Sequence, residues 1–159
     1  MVDLLPQTRK FVWITTADTK DLQVPLGRRF VPLLKILSDL VKAGVSVRLM
    51  HAKDPDPRFR RNFDRYPNLL SSDLFDSILC PRILSKAIIM DGKRAFVGSA
   101  ILTGVGLGTN GADKPNVEAS FLTTDAGHLR ELVNWIDRLY LGEFCVKCPR
   151  RAVCPNPVA

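Results

Sequence analysis

Apolar and polar positions follow two rhythms along this chain, and the rhythms mark its elements. Residues 10–17 (KFVWITTA) form a continuous β-branched and aromatic run, which predicts a buried strand. Residues 18–27 are polar and rich in turn formers. Phe30, Leu34, Leu37 and Val41 then recur at helical spacing around Pro32, a residue suited to a first helical turn, and Gly44 stops the pattern. Residues 45–50 (VSVRLM) return to strand character. A strand, an amphipathic helix and a strand make a βαβ unit, whose strands are expected to be parallel.

The sequence DPDP at residues 54–57 is a break. In residues 58–66 (RFRRNFDRY), Phe59, Phe63 and Tyr66 keep helical spacing and arginines fill most of the other positions. A short strand at residues 76–79 leads to Cys80-Pro81-Arg82. Two apolar runs, residues 87–90 and 95–97, flank Asp91-Gly92, which predicts a β-hairpin ending in Gly98-Ser99. Residues 103–115 hold four glycines and read as a loop. A strand at residues 117–123 follows. Asp125 then caps a helix to about Leu141, with Leu129, Leu132, Val133, Ile136 and Leu139 on its apolar face. The expected fold class is α/β: a mixed β-sheet flanked by helices. Residues 1–142 form the domain, and residues 143–159 form a cysteine-rich tail packed on it.

Composition narrows the class. At 159 residues the chain forms one domain with a sizeable core. A hydrophobic content of 46% with 25% charged residues is ordinary for a soluble globular protein. The apolar runs are too short to span a bilayer, and residues 1–10 do not read as a signal peptide, so the cytoplasm is the expected location. A net charge of +7 and a pI near 9.5 call for an anionic partner, with nucleic acid first.

The hairpin carries more than a core pattern. Lys86-x4-Asp91-Gly92, followed by Gly98-Ser99 and Thr103, resembles the H-x-K-x4-D…G-S-x-N signature of the phospholipase D superfamily. The resemblance implies that family's α/β fold and a phosphodiester site. In the family the histidine is the nucleophile, the lysine and asparagine bind phosphate oxygens, and the aspartate orients the histidine. Here Leu84 stands at the histidine position and Ile101 at the asparagine position. The remnant site is Lys86, Asp91, Ser99 and Glu118, the last matching an acidic residue that orients the partner histidine. Leucine can neither attack phosphorus nor transfer a proton, and nucleophile loss costs many orders of magnitude in rate. An active phosphodiesterase or nuclease therefore needs a substitute, and His51, at a strand end, is the better candidate. The plainer reading of His51 is a hydrogen-bonded structural residue, and His128 reads as a helix-face residue. A single motif copy resembles the small nucleases of the superfamily, which dimerise, so a homodimer or a protein partner is expected.

Two further groups bear on function. Arg58, Arg60 and Arg61, with Arg65, Lys53 and Arg48 nearby, form the densest basic region and suit a phosphate backbone. Their interleaved aromatics read as a buried helix face. Cys80 and the C-x2-C-x5-C of Cys145, Cys148 and Cys154 provide four thiols, enough for a closed metal site. A [4Fe-4S] cluster is expected ahead of zinc, with a structural role. The chain thus reads as a catalytically degenerate phospholipase D-like domain that binds nucleic acid or another phosphodiester. An active enzyme and a structural subunit of a larger assembly are the alternatives. In the last of these, the aliphatic Leu84 and Ile101 fill and pack the former site.

Overall fold

The computed structural model describes residues 2–19, 23–26, 29–99 and 119–158. In chain order the elements are β1 (Phe11–Thr16), β2 (Gln23–Leu26), β3 (Arg29–Pro32), α1 (Leu33–Lys42), β4 (Ser46–His51), α2 (Pro57–Phe63) and α3 (Pro67–Ser71). They continue with β5 (Phe75–Leu79), β6 (Ala87–Met90), β7 (Arg94–Gly98), β8 (Ser120–Thr123) and α4 (Ala126–Tyr140). One mixed sheet has the order β5-β4-β1-β6-β7-β8. β1, β4 and β5 are parallel, as the βαβ pattern requires, and β6, β7 and β8 are antiparallel to their neighbours.

The sheet is covered on both faces, which explains why its central strands are apolar throughout rather than alternating. Val12 and Ile14 of β1, Val47 and Leu49 of β4, and Ile88 and Met90 of β6 face the α1 layer. Trp13, Met50 and Ile89 face the α4 layer. α1 buries Leu33, Leu34, Ile36, Leu37, Leu40 and Val41. α4 begins at the expected cap, where Asp125 accepts from the His128 backbone N–H at 2.8 Å. Its Leu129 and Ile136 are buried, and Leu132, Val133 and Leu139 pack beside them.

Arg48 of β4 binds α4 to the sheet. Its guanidinium lies 4.4 Å from the Trp13 ring centroid and 3.7 Å from that of Tyr140, and it pairs with Asp137 at 2.8 Å. Arg48 therefore belongs to the packing of α4 and not to the basic surface expected around residue 58.

The Asp91-Gly92 turn is as expected. Both residues have positive φ, 55° and 63°, the requirement of a type I′ hairpin turn. The Asp91 carboxylate also accepts backbone N–H groups from Arg9, Lys10 and Phe11 at 3.0, 2.7 and 3.1 Å. It thereby pins the start of β1 to the hairpin turn.

Some expectations give way. Residues 18–32 hold the hairpin β2–β3, and Phe30 lies on β3 with 58% exposure rather than on the helix stripe. Strands of four residues are too short for period 2 to stand out from a helical turn. α3 and a 3-10 turn at Val2–Gln7 add to the elements that the apolar pattern predicts. The glycine loop at residues 103–115, Ile101, Thr103, Glu118 and the first positions of the expected strand at 117–123 lie outside the described residues. No helix among the described residues is long and apolar enough to cross a membrane.

Candidate functional site

The sheet register gathers the candidate residues at one edge. Thr15 pairs with Ala87, Thr16 with His51, and His51 with Leu79, so β1, β4 and β5 end where β6 begins. Ala87 pairs with Val97 and Gly98 with Ser120, which brings the end of β7 and the start of β8 to the same edge. Lys86, Ser99, His51 and Cys80 all lie there. This is the edge at which open α/β sheets hold ligands.

Among the described residues the acceptor of Lys86 is the Ser99 carbonyl, to which Nζ donates at 2.9 Å. The Ser99 hydroxyl accepts from the Ala119 N–H at 3.0 Å. Gly98 is needed here, because a Cβ on it would stand 2.4 Å from the Ala119 carbonyl oxygen and from the Ser120 Cα. β7 and the approach to β8 are therefore in close backbone contact beside Lys86.

Leu84 departs from the packed former site that its aliphatic character suggested. It is 81% exposed at the edge. The side chains around it are Pro81, Arg82, Pro149 and Arg150, so the position is a surface one and the leucine does not plug it. Asp91 sits at the far end of β6, about 13 Å along a four-residue strand, and its carboxylate serves the start of β1. Burial pushes the Asp91 carboxyl up, but the N–H groups of Lys10, Arg9 and Phe11 and the charge of Lys93 outweigh it and hold the group below its usual value.

His51 is 4% exposed. Its Nδ1 donates to the Lys53 carbonyl at 2.7 Å, which leaves Nε2 to accept from the Ser77 hydroxyl at 3.2 Å. Burial lowers its pKa, against the pull of the Lys53 carbonyl and Asp54, so the ring stays neutral. With both nitrogens engaged, His51 acts as a structural crosslink between β4 and β5. His128 lies exposed on α4, 3.4 Å from Asp125.

α2 matches the plain reading of its aromatics. Phe59 is buried and stacks on Phe63 at 6.0 Å, and Phe63 meets Phe75 at 5.5 Å. Arg58, Arg60 and Arg61 are exposed, Arg60 pairing with Asp54 at 3.4 Å. Lys53 pairs with Asp18 at 3.0 Å.

The four cysteines, distant in sequence, are brought together. Cys80, Cys145, Cys148 and Cys154 are all free thiols and all line one cavity of about 180 Å³. Ile78, Ile83, Trp135, Leu139 and Phe144 form its apolar wall. No three His, Cys, Asp or Glu side chains among the described residues stand close enough together to hold a single metal ion. The Arg150 N–H and the Arg82 guanidinium hold the Cys148 thiol below its usual pKa.

Contacts that the spacing of the cysteines does not reveal close the cavity. Arg82 donates to the Phe144 carbonyl at 3.4 Å and Arg150 to the Pro81 carbonyl at 3.2 Å. Asn156 accepts from the Leu79 N–H at 3.2 Å, and Arg151 donates to the Val158 carbonyl at 2.9 Å. The one sequence signal for these contacts is that Arg82 and Arg150 each follow a Cys-Pro pair.

No protein-family model matches the chain, and no curated protein matches it by sequence. Solved structures do match. NucT from Helicobacter pylori superposes with a TM-score of 0.63 at 15% identity, over 87% of this chain and 84% of that one. Nuc from Salmonella typhimurium, described as a phospholipase D family member, gives a TM-score of 0.55 at 16% identity over the same shares. TrmBL2, described as an archaeal chromatin protein with a novel mode of DNA binding, gives 0.58 at 12% identity, over 87% of this chain and 45% of that one. Identities this low speak for the fold alone: the chain has a phospholipase D-like fold.

Proposed function

We propose that the chain binds nucleic acid or another phosphodiester without cleaving it, and that a metal centre on Cys80, Cys145, Cys148 and Cys154 fixes the end of the chain to the sheet. Leu84 carries the first part. The position where this fold's chemistry needs a nucleophile holds an exposed aliphatic side chain, while Lys86, two residues on, keeps its ammonium group at the edge with the Ser99 carbonyl as its acceptor among the described residues. A cation at the ligand edge without a nucleophile binds phosphate and goes no further. The net charge of +7 supplies attraction over distance, and Arg58, Arg60 and Arg61 add exposed cations on α2. His51 is a poor substitute nucleophile, since it is buried and hydrogen-bonded at both nitrogens.

The four thiols suit a metal centre: they are free, share one mostly apolar cavity and have cationic neighbours for an anionic thiolate site. Of the two metal centres that four thiols can hold, we take a [4Fe-4S] cluster ahead of zinc. Bound there, the group supplies a crosslink between β5 and the tail.

The test joins metal analysis to binding. Anaerobically purified protein should carry about four irons and four sulfides per chain. It should retain a labelled oligonucleotide at low salt and lose it as salt rises. Stoichiometric zinc without iron overturns the cluster assignment. Absence of binding at low salt overturns the functional reading.

A further inference from the structure

The tail builds a surface across the vacated nucleophile position. Pro81, Leu84 and Pro149 form an apolar floor, and Arg82 and Arg150 rise from it in a shallow groove of about 350 Å³. On the other side of Arg82, a second groove of about 360 Å³ includes Lys147 and Val146. Arg82, Lys147 and Arg150 are exposed. Arg150 donates through Nη1 to the Pro81 carbonyl and Arg82 through Nη1 to the Phe144 carbonyl, with the Cys148 thiol as a second partner of Arg82, and a guanidinium carries further donors. Glu143 also lines the second groove, and its carboxylate is paired with Arg138 at 2.6 Å.

An apolar floor between guanidinium groups suits a particular form of anion. Stacked, paired bases of a duplex cannot reach such a floor. An unpaired strand can lay a base or sugar on it while the flanking phosphates meet the cations. α2 is different: its aromatics are turned into the core, so it offers phosphates charge alone.

We propose that Leu84, Arg82, Arg150 and Lys147 form a binding groove for single-stranded nucleic acid, in which the position of the lost nucleophile has become part of an apolar floor. This rests on the nucleic-acid reading above and adds the form of strand and the residues that select it. The α2 arginines attract either form of nucleic acid, and the groove prefers the unpaired one.

The test is fluorescence anisotropy with a labelled oligonucleotide as a single strand and as its duplex, using the full chain at low salt. The wild type should bind the single strand at least about fivefold more tightly than the duplex. Lys147→Glu and Leu84→Asp, both at exposed positions, should each lower that ratio at least about threefold. Arg150→Glu should do the same, but this arginine also holds Pro81, so Lys147→Glu is the variant to rely on if the tail loosens. Charge reversal at Arg58, Arg60 and Arg61 should weaken both forms by similar factors and leave the ratio in place. If the wild type binds but the groove variants leave the ratio unchanged, the groove is overturned and the binding function stands. If the wild type binds neither form, both are overturned. If Leu84→Asp turns a dimer into a monomer with the ratio intact, this face joins two copies and the groove is overturned.

Discussion

The two ends of β6 have had different fates. At the turn end, Asp91 keeps a polar side chain engaged with the backbone of Arg9, Lys10 and Phe11. At the other end, the position that would carry a nucleophile holds Leu84, 81% exposed. The first residue serves folding, and the second would serve only chemistry. A motif residue can therefore persist because the hairpin needs it, with no catalysis implied. Lys86 stands at the ligand edge of the sheet, where its ammonium group reaches one acceptor among the described residues.

Substitutions at engaged and at exposed positions should break that contrast by very different amounts. The largest effect is expected at the proposed thiol centre, which would brace the Leu84 end through Cys80. Cys148→Ser should abolish stoichiometric metal binding and lower stability by about 3 kcal/mol, a Tm shift of roughly 6–12 °C for a chain of this size, read by metal analysis and thermal melting.

Asp91→Ala should cost about 2 kcal/mol, because it leaves backbone donors at the start of β1 without their charged acceptor. The effect has a pH signature. The folded-state pKa of Asp91 lies below its unfolded value, so its contribution is complete above about pH 4 and is lost as pH falls through the folded pKa. In denaturant titrations the wild type should lose stability below about pH 4 more steeply than Asp91→Ala. Parallel acid limbs would show that the carboxylate does not hold β1.

Two arginines make the same contrast on a smaller scale. Arg48→Ala should cost about 1.5 kcal/mol, since it empties the space between Trp13 and Tyr140 and leaves Asp137 unpaired. Arg61→Ala, on the exposed face of α2, should stay within about 0.5 kcal/mol. The smallest effect is expected at the motif position itself. Leu84→His should leave stability within about 0.5 kcal/mol of wild type, because the side chain is largely in solvent. A large loss in chemical denaturation would mean that Leu84 packs after all.

Much of this architecture can be read in the sequence. β1, β4, the β6–β7 hairpin and α4 show as long or sharply bounded patterns, because each is buried on a face and punctuated by Gly, Pro or Asp. β2 and β3 are too short for their period to register. The set of four cysteines is visible by counting thiols, but the bonds from Arg82, Arg150 and Asn156 that close the cavity connect residues far apart in the chain. The exposure of Leu84 and the enclosure of Arg48 run against the usual preferences of leucine and arginine. Only the tertiary arrangement, in which the tail flanks one and α4 covers the other, decides them.

The central claim is binding without cleavage at the Lys86 edge. It is tested most directly by incubating the metal-loaded protein with an end-labelled oligonucleotide and running one portion on a native gel and one on a denaturing gel. The predicted result is a retarded band on the native gel and an intact strand on the denaturing gel, with and without added divalent cation. Shortened product that appears with wild-type protein and disappears in Lys86→Ala would contradict it.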